Sequence, residues 1–177
     1  MDSVNIYTVT TAKSPSVQEC VGCYVIERIH DGIPYTHEGF LYREAITKVD
    51  LTIQLLCNAI YILKKLDIEF DILAIATEEP IVDSAFNKKW IDKWISDDWT
   101  NARGKEIKYQ DDWKKLVEML TGLSKKYIFS NQNTSYFNLM HMWSEKRLKE
   151  KREEKQVHEN INDLKERLLN ETGKRNM

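Results

Sequence analysis

Trp99-Thr-Asn-Ala-Arg-Gly104-Lys105-Glu-Ile107-Lys108-Tyr-Gln-Asp111-Asp-Trp113 is the stretch whose reading decides the fold. Two tryptophans frame a Gly-Lys turn, an Ile-Lys pair and an aspartate. Gly104 supplies the positive φ that a tight turn requires. Asp111 is placed to cap a helix carrying Trp113, Leu116, Val117 and Leu120. Trp90, Trp94 and Trp99 precede it at near-helical spacing, so they are expected to pack on one side.

Upstream, Val4 to Thr10 is β-branched and aromatic and reads as a first strand. Cys20 to Ile29 alternates as a second, His30-Asp31-Gly32 is a hairpin signal, and Ile33 to Tyr42 is a third. From Ile46 to Leu66 the residues Val49, Ile53, Leu56, Ile60 and Leu63 step by four and three, the stripe of a buried helix. Asp71 to Ala76 is the short apolar run of a strand covered on both faces. Pro80 opens a helical region reaching Trp99. Tyr127 to Ser130 is a fifth strand, and Thr134 is expected to cap a last domain helix with Phe137, Met140 and Trp143 facing inward.

This pattern resembles ribonuclease H, where Trp-x4-Gly-Lys-x-Val/Ile-Lys-x-x-Asp-x-Trp lies between the helices after the fourth strand. The match takes Trp99, Gly104, Lys105, Ile107, Lys108, Asp111 and Trp113 without a gap. It extends more sparsely over Val4 to Met140. The resemblance implies an α/β fold: a mixed five-stranded sheet, three antiparallel strands then two parallel, flanked by helices. Residues 1–143 would form that domain and residues 144–177 a charged helical extension.

Ribonuclease H enzymes cut phosphodiesters with two Mg²⁺ ions about 4 Å apart, held by four carboxylates. Carrying those positions over by resemblance, the bridging aspartate of the first strand falls on Val9. The helix glutamate falls on Asp50, the aspartate after the fourth strand on Glu78, and the last-helix aspartate on Asn138. The loop histidine becomes Asn131. Two carboxylates remain, each changed by one methylene, and Mg²⁺ demands near-ideal geometry. Asp50 and Glu78 are therefore the candidate metal ligands, and Mg²⁺ or Mn²⁺ is expected only if the site is rearranged around them. The resemblance otherwise implies a non-catalytic binding module with no cofactor. The alternative is an active, metal-dependent RNA–DNA hybrid ribonuclease using Asp50 and Glu78.

Other chemistry is thin. Cys20-Val-Gly-Cys23 has C-x-x-C spacing, but on a strand residues three apart point to opposite faces. Three cysteines cannot all pair, which suits a reducing cytoplasm. The N-terminus has no secretory pattern, and no apolar run is long enough to span a membrane. A net charge of −2 gives no global pull toward nucleic acid. Lys105, Lys108, Lys125 and Lys126 form the candidate nucleic-acid patch.

Ser144 to Gln156 interleaves charges of both signs, as a solvated helix does. After it Val157, Ile161, Leu164 and Leu168 step by four, three and four, a candidate seam for self-association or a protein partner. Gly173 and the Lys174-Arg175 that follow are the expected stop.

Overall fold

The computed structural model describes residues 2–175, and side chains up to 171. The last two residues of the expected extension, 176 and 177, lie outside the described residues. The chain runs β1 (Ser3–Thr10), β2 (Gln18–His30), β3 (Ile33–Ile46), α1 (Lys48–Leu66), β4 (Ile72–Thr77), α2 (Pro80–Asn87), α3 (Trp90–Ser96), α4 (Gln110–Gly122), β5 (Lys126–Phe129) and α5 (Phe137–Arg175). The five strands form one sheet in the order β3-β2-β1-β4-β5. β1 pairs antiparallel with β2, and β2 with β3; β1–β4 and β4–β5 are parallel. The mixed sheet inferred from sequence is the one observed.

Alternation along β1 divides the core in two. Val4 and Ile6 pack with α1 and with Val82, Ile91, Trp113, Leu116 and Phe129 of the later elements. Tyr7 and Val9 face the other way and pack with Cys23, Val25, Ala76, Phe137 and Met140. α1 through α4 thus cover one face and α5 the other. Cys20 and Cys23 fall into different cores, both as free thiols, so the C-x-x-C pair diverges as strand geometry demands. Gly22 marks the close approach of β2 to α1: a Cβ there would lie 2.5 Å from Leu55 Cδ1.

The hairpin turn between β2 and β3 uses Asp31 and Gly32, both at positive φ. Two local expectations need correction. Asp111 does not cap α4; Tyr109, at φ 60°, precedes the helix without a side-chain cap bond, and Asp111 sits in the first turn. The region from Pro80 to Trp99 is two helices, because Lys89 turns left-handed at φ 57° between them. α5 runs through Gly173 and is described to Arg175, the last residue of the expected stop.

α5 is one uninterrupted helix of 39 residues that runs through the expected boundary at 143/144. Its stretch to Lys155 lies against the sheet. Ser144 and Leu148 are buried, Arg147 lies over the Phe40 ring at 4.0 Å, and Arg152 and Lys155 bind Glu19 at 2.6 and 3.3 Å. Beyond it the apolar stripe is half-exposed: Val157 is 58% exposed, Ile161 47%, Leu164 56% and Leu168 56%.

Candidate functional site

The carboxylate positions fall at the ends of β1 and β4, which pair in parallel up to Thr8 and Thr77, and on the first turns of α1 and α5. Val9 reaches that point buried in the apolar cluster beneath α5, and offers no oxygen. Asn138 is exposed on the first turn of α5.

The cap of α1 decides which of its residues faces Glu78. Thr47 caps the helix, its Oγ1 accepting from the Asp50 amide at 3.3 Å. Lys48 is then the first helical residue, and its Nζ donates to the Glu78 carbonyl at 3.1 Å. Two residues are about 200° of helical rotation, so Asp50 looks elsewhere. It lies against Asp112 of α4 and Gln54, with Arg43 nearby. Burial first, then the Asp112 carboxylate, pushes the Asp50 carboxyl up to about 7. Asp50 Oδ1 is buried without a partner among the described residues. The structure therefore does not bring Asp50 and Glu78 together.

That raised value has a stability consequence with a definite sign. Unfolded aspartate titrates near pH 4, so between roughly pH 4 and 7 the native chain keeps a proton that the unfolded chain releases. Stability should fall across that window and level off above it. Solvent screening of this half-exposed group limits the effect to about 1–2 kcal/mol. Asp50→Asn should flatten the profile, gaining that amount at pH 8 and about nothing at pH 4, as measured by urea unfolding. A gain equal at both pH values would contradict it.

Glu78 is engaged by a residue that sequence reasoning left unassigned. His141, one turn after Asn138 on α5, places Nε2 2.7 Å from each Glu78 carboxylate oxygen. Its three-residue spacing from Asn138 was the available signal. Asn131, at the loop-histidine position, acts as a brace. Its Oδ1 accepts from the Thr77 amide at 3.2 Å and its Nδ2 donates to Asp83 at 2.7 Å. Thr77 Oγ1 also donates to Asp83 at 3.0 Å, while burial raises the Asp83 carboxyl above its ordinary value.

A pair of divalent ions does not fit these residues. The central position is apolar, one carboxylate is turned to α4, and the other has both oxygens on an imidazole. Among the described residues no group of three or more His, Cys, Asp or Glu side chains is arranged to hold a metal ion.

Nearby on the α5 side of the sheet lies a second polar cluster. Buried Glu27 of β2 accepts from Asn5 Nδ2 at 2.7 Å, from the Tyr7 hydroxyl at 3.2 Å and from the Tyr136 hydroxyl. Asn133 Nδ2 donates to the Tyr7 oxygen at 2.9 Å. The network ties the loop before α5 to β1 and β2.

The candidate basic patch is split. Lys105 and Lys108 lie before α4 and Lys125 and Lys126 after it, at opposite ends of a helix about 20 Å long. Lys125 is also paired with Glu69 at 3.3 Å. The tryptophans chain ring to ring from Trp90 through Trp94 to Trp99 and Trp113, with Trp99 and Trp113 buried. Val157, Ile161, Leu164 and Leu168 lie apart from the cleft on distal α5.

No family model matches the chain. Ribonuclease H of Clostridium botulinum is 35% identical over 52 residues, 29% of this chain. That segment is 35% of the relative, so the chain spans about a third of the length of the curated relatives it matches. Among solved structures, LC9-RNase H1, a type 1 RNase H with the type 2 active-site motif, superposes with a TM-score of 0.62 at 11% identity, over 81% of this chain and 68% of that one. LC11-RNase H1 in complex with an RNA/DNA hybrid gives a TM-score of 0.51 at 14% identity, over 72% and 83% of the two chains. The sheet order, the helices on each face and these likenesses agree: the chain has the ribonuclease H fold.

Proposed function

We propose that this chain is a non-catalytic ribonuclease H-like module that binds nucleic acid without cutting it. The observation that carries this reading is the occupancy of the cleft: Val9 is buried at its centre, Glu78 is held by His141, and Asp50 lies against Asp112. A duplex partner is supported by the likeness to LC11-RNase H1, which was solved with an RNA/DNA hybrid. The alternative, a hybrid nuclease rebuilt on Asp50 and Glu78, requires two side chains that face different helices to share an ion.

The test is a paired assay on an RNA–DNA hybrid. In Mg²⁺ or Mn²⁺ the purified chain should retard the hybrid in a gel and leave its strands intact. Cleavage abolished by Glu78→Gln would overturn the reading, as would absence of binding to hybrid, duplex DNA and RNA at low salt.

The distal stripe of α5 favours a second contact. Its half-exposed Val157, Ile161 and Leu164 fit self-association or a protein partner better than solvent. Truncation after Gln156 leaves the docked part of the helix in place. If the stripe is a seam between copies, this truncation should convert an oligomer into a monomer by mass measurement.

A further inference from the structure

We propose that the cleft holds a backbone phosphate of nucleic acid directly on Lys48 and His141, where ribonuclease H enzymes interpose divalent ions. This rests on the nucleic-acid reading and specifies its chemistry. Lys48 from α1 and His141 from α5 converge on a single residue, Glu78, from elements covering opposite faces of the sheet. The Lys48 Nζ is 3.1 Å from the Glu78 carbonyl and His141 Nε2 is 2.7 Å from its carboxylate. Both donors are half-buried, which strengthens their attraction for an anion above that of the free surface lysines.

In a metal-dependent cleft, carboxylates collect cations and the cations collect phosphate. Here the carboxylate count has fallen and two nitrogen groups flank Glu78, so the site approaches a phosphate with hydrogen-bond donors of its own. Glu78 positions both donors and also competes with the phosphate for them. A further polar group sits at the same strand end: Thr8, one residue before Val9, buries an Oγ1 without a partner among the described residues.

The experiment is fluorescence anisotropy of a labelled RNA–DNA hybrid with the full chain, in EDTA and in Mg²⁺, across a salt series. The hybrid should bind equally well in EDTA. Lys48→Ala should weaken binding about tenfold and lower the salt slope by about one. His141→Ala should weaken it about threefold. Glu78→Gln, which removes the competing anion, should tighten it, an outcome that mere structural damage does not produce. Binding that requires Mg²⁺, or is unchanged by Lys48→Ala and His141→Ala, would overturn this site and leave the broader reading standing. No binding to any nucleic acid would overturn both. Inorganic phosphate binding at the cleft while no duplex binds would overturn the assignment to a nucleic-acid backbone.

Discussion

Trp113→Ala is expected to lower the unfolding free energy by about 3–5 kcal/mol, enough to consume much of a small domain's stability. Trp113 is 2% exposed and stands at the junction of α4, α3 and α2. Trp94 lies 5.3 Å from it edge to face, and Phe86 lies 6.4 Å away and stacks in turn on Phe129 of β5. Removing the indole empties a space bounded by other rings, and rigid rings collapse poorly into a gap. Trp90, 36% exposed at the end of the same chain of rings, is the control. Trp90→Ala should cost under about 1 kcal/mol. Urea unfolding followed by circular dichroism measures both, and equal losses would contradict this account of the core.

Glu27→Ala should cost about 3–4 kcal/mol. The loss is larger than for an ordinary surface acid because three donors converge on one buried carboxylate. Without it Asn5 Nδ2 and the Tyr7 and Tyr136 hydroxyls lose their shared acceptor between β1, β2 and the loop before α5. The carboxylate and its burial also push the Tyr136 phenol up to about 12, so it remains a donor across the usual pH range. Glu27→Gln keeps the shape but replaces one acceptor oxygen with an amide donor, so about half the loss should remain. In a double-mutant cycle, Tyr136→Phe in the Glu27→Ala background should cost less than in the native chain. Strict additivity would show that the contact carries no coupling.

The fold was legible because its signals are local and periodic. The stripe from Val49 to Leu63 specifies α1, β-branched and aromatic residues specify β1, and alternation specifies β2. The Gly104 turn, at φ 72°, lies where the motif required it. The local errors share a cause in backbone conformations that composition does not announce. Lys89 and Tyr109 adopt left-handed geometry without being glycine or asparagine, and these two residues divide α2 from α3 and open α4.

The site was legible only as positions along a strand or helix. A motif aligns residues one by one, but a helix turns 100° at each step. The Thr47 cap fixes the phase of α1, and that phase presents Lys48 rather than Asp50 to the end of β4. The role of His141 was hidden for a different reason: its spacing from Asn138 marks it as a neighbour, but its partner Glu78 is 63 residues away in sequence and only the packing of α5 brings them together. The long helix shows the same limit. Interleaved charges from Ser144 to Gln156 read as fully solvated, yet Arg147, Arg152 and Lys155 lay their stems and charges on Phe40, Tyr42 and Glu19.

Mn²⁺ binding to the purified full chain, titrated by calorimetry at pH 7, tests the central claim most directly. The donor set around Val9, Glu78 and Asn138 predicts no saturable site tighter than the millimolar range. Two sites of micromolar affinity, lost together in Glu78→Gln, would contradict it.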